Sequence, residues 1–247
     1  MKIKRIFVLS ISLGLLFFQS ALIPGRSGGS VSFAAAGASS DDASGGSLLP
    51  EVDFRWAFAV MSDRDGSIDA QPIAREMVLQ SGDQIKMMVE LRRRCFVYFF
   101  HDNQKGGVKL LFPYALGQFD TDYQVDRRYY IPRGEAWFKL DENPGREVFY
   151  LVASAKRLDE LEKAYLRHES ADASSRAETA KALVDKIREL RREHRELSSP
   201  AERPVPIGGT LRGVEKGRDP SLFDIAAFAD EVLSNGFVAR TYTIEHN

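Results

Sequence analysis

Over residues 52–61 apolar and polar positions alternate. Phe54, Trp56, Phe58 and Val60 share one parity, and Asp53, Arg55 and Ala57 the other. A period of two predicts a strand with one buried face. Ile85, Met87, Val89 and Leu91 repeat the pattern against Gln84, Lys86, Met88 and Glu90. Residues 95–101 and 148–153 are instead apolar at both parities, the signature of strands covered on both faces. Shorter runs at 76–79, 108–112, 129–131 and 135–140 also read as strands. Turn-forming stretches separate them: DRDGSID (63–69), Ser81-Gly82, NQKGG (103–107) and DENPGRE (141–147). So many short strands within about a hundred residues is the spacing of a sandwich or barrel.

Beyond residue 155 the period changes. Leu158, Leu161 and Tyr165 recur at helical spacing. Ser175-x-x-Glu178 is a capping-box pattern. Ala180, Leu183, Val184, Ile187, Leu190, His194 and Leu197 then form one apolar stripe on an otherwise charged segment, ended by Pro200 and Pro204. Asp219-Pro220 opens a shorter predicted helix with Leu222, Ile225, Ala229 and Val232 inward, closed by Asn235-Gly236. Residues 237–245 alternate once more and predict a final strand, which rejoins the earlier sheet because a lone strand leaves its edges unpaired. The pattern therefore predicts a mainly β fold: an Ig-like antiparallel β-sandwich at 48–247 with an α-helical insertion or extension at about 157–199.

The first residues read differently. Lys2, Lys4 and Arg5 precede an apolar run at 6–18, and Ala34-Ala35-Ala36 fits a small-x-small cleavage rule. Residues 1–36 are read as a signal peptide and the small, polar residues 37–47 as a flexible linker. The run is short for a membrane span, which leaves an uncleaved anchor as the alternative. Cleavage after Ala36 removes four cations and no acid, taking the formal net charge from −1 to −5. A mildly acidic chain does not favour nucleic acid. With one cysteine in 247 residues there is no intramolecular disulfide, so packing alone holds the fold.

Several pieces in order carry a resemblance. Gly82-Asp83 precedes an alternating strand; VYFFHDNQKGGVKLLFP (97–113) follows; then YYIPRGEAWFKLDENPG (129–145) and VFYLVAS (148–154). Together, residues 81–154 resemble a bacterial family known only as domain of unknown function 4384. The resemblance implies a β-rich module of exported proteins, with a sensing or interaction role where it is fused to other domains. It supplies no catalytic residues to carry over.

The chemical candidates are few. Cys95 and His101 are six positions apart on one strand face, about 20 Å at roughly 3.3 Å per residue, too far to act together. A distant histidine (His168, His194 or His246) is the remaining partner for a Cys95 nucleophile, against a structural, buried thiol. Asp63, Asp65, Ser67 and Asp69 set oxygen ligands at alternate positions, as calcium requires, but the glycine and the missing acid depart from an EF-hand loop. Arg92-Arg93-Arg94 is an exposed positive bend, a docking point for an acidic partner or a phospholipid head group, or a guard of a strand edge. Arg188, Arg191, Arg192 and Arg195 lie on the charged helix, as a solvated face or a partner-binding one. Phe112, Tyr114, Phe119, Tyr123, Tyr129 and Tyr130 form either a binding rim or a cover over a sandwich end. The resulting expectation is an exported, periplasmic or secreted, non-enzymatic binding module of the bacterial cell envelope. Its partner is a protein or envelope component, with no nucleic acid and with membrane contact only through an uncleaved anchor. No catalytic, cofactor or metal residues are assigned. The alternatives are a cysteine-dependent hydrolase using Cys95 and a structural component of an envelope assembly.

Overall fold

β1 (Val52–Arg64) forms the spine of the first sheet. On one side it pairs with β4 (Gln84–Leu91), from Phe54 opposite Leu91 to Met61 opposite Gln84. Its other side is shared: β10 (Asp230–Ser234) takes residues 52–56 and β2 (Ser67–Pro72) takes residues 59–64. β7 (Arg128–Ile131) and the short β8 (Phe138–Lys139) similarly divide the far edge of β4. The second sheet runs β3 (Glu76–Leu79), β11 (Phe237–His246), β9 (Gly145–Ser154), β5 (Phe96–Asp102), β6 (Val108–Phe112). Every pairing is antiparallel except that of β3 with β11. The computed structural model describes residues 50–64, 67–105, 107–194 and 223–247. The signal (1–36), the linker (37–47), Asp65, Arg195, Leu197, Pro200, Pro204, Asp219-Pro220 and Leu222 lie outside the described residues.

The predicted sandwich is present. Phe54, Trp56, Phe58 and Val60 of β1 face Val97, Phe99, Phe149 and Leu151 of the second sheet in one buried core. The doubly apolar strands also have the predicted second cover. Tyr98, Phe100, Tyr150 and Val152, on the opposite parity, pack beneath Leu161, Leu183, Val184 and Ile187. Those four belong to α2 (Asp159–Glu169) and α3 (Arg176–Glu193), which form a third layer on the second sheet. The helices lie in the chain between β9 and β11, which pair along their whole length, so the helical segment is an excursion between neighbouring strands. A smaller apolar cluster (Ala57, Ala59, Met88, Ile225 and Ala226) covers part of the first sheet's outer face.

Two predicted elements are corrected. DRDGSID is not simply a turn: Arg64 and Ser67 face each other, and β2 continues a hairpin with β1. The predicted helix at 219–234 is, where described, one turn of 3-10 helix (Ile225–Phe228) followed by β10. Val232 sits opposite Phe54, filling a free edge of β1. The three- and four-residue spacing of Ile225, Ala229 and Val232 resembled a helix, but unpaired strand groups cost more than that spacing returns. The capping box also fails. Ser175 makes no side-chain bond to the helix backbone; its hydroxyl and its N–H both donate to Asp172.

His168 joins the helical layer to the β5–β6 hairpin. Its ring is fully buried; the Val108 N–H donates to Nε2 at 3.2 Å, so the proton sits on Nδ1, 3.0 Å from the Thr179 hydroxyl. Burial, then the Arg176 charge, holds its pKa below the usual 6.5. The unfolded ring binds a proton more readily than the folded one. Stability from this site is therefore complete above about pH 6.5 and declines as pH falls from there to the lower folded value. His168→Gln keeps a donor and an acceptor but does not titrate. The melting-midpoint advantage of wild type over this variant is expected to shrink between about pH 7.5 and pH 5. A difference that stays constant with pH would refute a neutral, buried His168.

Candidate functional site

The sequence candidates separate in space. Cys95, fully buried, joins the inter-sheet core just before β5. Burial pushes its thiol up to about 11, with a backbone hydrogen bond from the Asp53 region opposing. No histidine reaches it. His101 stacks on Phe149 at 4.6 Å and bonds Glu147 at 2.5 Å. His168 and His194 belong to the helical layer, His194 stacked on Phe237 at 4.3 Å. His246, bonded to Ser81 Oγ at 3.1 Å, pairs with Gly145, whereas Val97 pairs with Ala153. Cys95 precedes Phe96, the partner of Ser154, so His246 and Cys95 are at opposite ends of β9, roughly 30 Å apart at about 3.3 Å per residue. A thiol mechanism finds no geometric support. Cys95 is expected to resist a small alkylating reagent in the native protein and to react fully once unfolded, as mass spectrometry will read; rapid native labelling would contradict its burial.

The calcium arrangement does not form from its described members. Ser62 pairs with Asp69 and Asp63 with Ile68, which sets Asp63 and Asp69 on opposite faces of the hairpin. Among the described residues no group of three or more His, Cys, Asp or Glu side chains is placed to hold a metal ion. The aromatic residues of 112–130 cover the sandwich end. Phe112, Phe119 and Tyr129 are buried, the Tyr123 hydroxyl accepts from Val97 N–H, and the Tyr114 hydroxyl donates to the Tyr130 carbonyl. The Arg92-Arg93-Arg94 bend is exposed as expected, but Arg92 bonds Glu90 and Asp126, and Arg93 donates to the Pro50 carbonyl.

A cleft that sequence reasoning missed lies on the helix side of the second sheet. Its volume is about 210 Å³, and it is lined by Gln104, Arg146, Val148, Tyr150, Arg188, Arg191, Thr241 and Thr243. The strand period explains the floor. Tyr150 pairs with Thr241 and Val148 with Thr243, so these four share the outward face of the sheet, with Arg146 two residues before Val148. On α3, Arg188 and Arg191 each follow a buried residue, Ile187 and Leu190, and so flank the apolar stripe on one side. Arg192, on the same helix, does not line the cleft. Gln104 enters from the β5–β6 turn with a left-handed φ of 57°; its N–H and its side-chain amide both donate to the buried Asp102. Three arginines and no acid line the cleft. Just outside it, Glu245 lies 3.6 Å from Arg146, and Asp185 bonds both Arg188 and Lys181. Arg191 makes no ion pair with any described residue. Burial raises the Tyr150 phenol above its usual range and Asp102 adds to this, while the Arg188 charge beside it opposes.

Alternation alone sets Thr241 and Thr243 on one face of the last strand, and that signal was available in the sequence. The register that brings Arg146 beside them, and their meeting with α3, were not.

Residues 78–157 match the model of a family described as a domain of unknown function (DUF4384). The match runs from within β3 past the end of β9 and so supplies β4, β7 and β8 of the first sheet and β5, β6 and β9 of the second, but neither β1 nor β11. Gln104, Arg146, Val148 and Tyr150 of the cleft fall inside it, and Arg188, Arg191, Thr241 and Thr243 outside. No curated protein and no solved structure matches the chain.

Proposed function

Starting from this DUF4384 core, we propose that the chain is an exported, non-catalytic binding module of the bacterial envelope, and that it takes its partner at the arginine-lined cleft. The carrying observation is the cleft itself: a concave site whose polar groups are arginine guanidiniums, hydroxyls and an amide. Such groups orient and hold a ligand. The signal pattern at residues 1–36 supports export. The helices added to the family core build one wall, so partner choice rests in part on residues the family match does not cover.

Deleting the helices is the wrong test, because it would bare Tyr98, Phe100, Tyr150 and Val152. Point substitutions on exposed positions avoid this. Arg188→Glu/Arg191→Glu is expected to abolish retention of an envelope component that wild type captures from extract. Arg192→Glu, exposed on the same helix, should retain it. Equal capture by all three proteins rejects the cleft as the binding site.

A further inference from the structure

We infer that the cleft binds an oxyanion: a phosphate or carboxylate group carried on a larger polar molecule. This deepens the binding reading above and rests on it. Three features of the geometry converge. First, guanidiniums only donate hydrogen bonds, so Arg146, Arg188 and Arg191 cannot satisfy one another; an acceptor-rich group between them can. Glu245, opposite Arg146 on the same sheet face, and Asp185, which Arg188 shares with Lys181, each accept from one of these arginines; Arg191 has no ion-pair partner among the described residues. Second, the floor carries the hydroxyls of Thr241, Thr243 and Tyr150, which supply neutral donors to the same group. Third, the size selects a group rather than a whole ligand. At about 210 Å³ the cleft falls below the usual size of a pocket that encloses a whole small molecule and suits one phosphoryl or carboxyl group with part of its carrier.

Charge makes the cluster more telling. The chain has 34 Lys and Arg against 35 Asp and Glu, so a cleft lined by three cations runs against its balance even though Glu245 and Asp185 each offset one of them and leave Arg191 unpaired among the described residues. Like charges gathered around a concavity raise its potential and draw in an anion. Arginine, with its planar fork, matches phosphate and carboxylate oxygens two at a time.

The test is an NMR titration of the full chain, following arginine Nε–H signals and the backbone amides of Thr241 and Thr243. Inorganic phosphate is one arm, acetate a second, and sodium chloride at matched ionic strength the control. Saturable shifts at Arg188, Arg191, Thr241 and Thr243 are expected with phosphate or acetate and not with chloride; the tighter arm identifies the carrier's group. Arg191→Ala is expected to weaken that binding roughly ten-fold, equivalent to about 1.4 kcal/mol. An unchanged melting midpoint will show that the variant is folded. Shifts that stay linear for both anions and equal the chloride control overturn the inference, as does saturable binding that Arg188→Ala/Arg191→Ala leaves unchanged. The two readings fail separately. Loss of partner capture by the charge-reversed protein, without oxyanion binding by wild type, overturns the oxyanion and leaves the cleft as a docking site. Oxyanion binding without partner capture supports the oxyanion and rejects the envelope partner.

Discussion

Phe99→Ala is expected to destabilise the protein by about 3–5 kcal/mol, a large fraction of the stability of an ordinary domain. Phe99 is fully buried at the centre of the sandwich. Its ring centroid lies 4.8 Å from Trp56, 5.7 Å from Phe58 and 5.6 Å from Phe149, so both sheets meet on it. Truncation removes the ring's transfer free energy and leaves a cavity that paired strands on either side cannot close. At about 2–4 °C per kcal/mol for a domain of this size, the midpoint should fall by roughly 10 °C. Chemical denaturation checks it: the midpoint concentration drops while the slope with denaturant stays fixed. Phe99→Leu, which keeps much of the volume, should recover a large part of the loss. A loss below about 1 kcal/mol for the alanine variant would mean that Phe99 does not join the sheets, since that is the ordinary cost of an average substitution.

Glu162→Ala comes next, at about 2–3 kcal/mol, and by a different route. Glu162 is nearly buried beneath α2, where one oxygen accepts from the Tyr98 hydroxyl at 2.7 Å. Arg157 donates to the same carboxylate through Nε at 3.0 Å and Nη2 at 2.9 Å. Burial, then the Glu162 acceptor, drives the Tyr98 phenol far above its usual pKa, so it stays a donor at any ordinary pH. Without the carboxylate that buried O–H has no acceptor, and an unsatisfied buried donor carries the full desolvation penalty. Arg157 suffers less, because it keeps both oxygens of Asp120 and is partly exposed. The damage should be local: hydrogen exchange in α2 quickens ahead of exchange in the sandwich. Tyr98→Phe removes the orphaned hydroxyl. The double variant is therefore expected to be less destabilised than the sum of the two single variants by about 1 kcal/mol, and strict additivity would show that the two groups do not interact.

Both residues stand in the stretch of sequence, or beneath it, that reads most clearly. Period-two alternation marked β1 and β4, and apolar residues at both parities marked β5 and β9 as strands covered twice. The reason is geometric: side chains of a strand point alternately to two sides, so burial of one or both sides is written directly in the order of residues. The stripe of α3 was equally legible, since Ala180, Leu183, Val184, Ile187 and Leu190 are all buried. Other elements were misread. β2 hid inside Asp- and Ser-rich residues because most of its side chains remain exposed. β10 hid inside a helix-like spacing because its pairing with β1 is made across about 180 residues of chain. Similarly, the Ser175 capping box was a sound local pattern displaced by a competing acceptor, Asp172.

The candidate site divides along the same line. That Cys95 and His101 cannot cooperate follows from strand rise alone. That no other histidine serves Cys95 required the sheet order, which sends His168 and His194 to the helical layer and His246 to the far end of β9. The arginines of α3 were visible as a cluster, and the alternation of β11 set Thr241 and Thr243 on one face. Only the tertiary structure split that cluster, turning Arg188 and Arg191 toward Arg146 and leaving Arg192 aside. By itself, then, the sequence determined which faces of the long strands and of α3 turn to the core, because those follow from local periodicity; it did not determine that Lys86, Met88 and Glu90, on the outer parity of β4, are buried as well. The tertiary structure decided which polar faces meet, because convergence depends on long-range register and on how α3 lies across the sheet, and neither leaves a periodic trace in the chain.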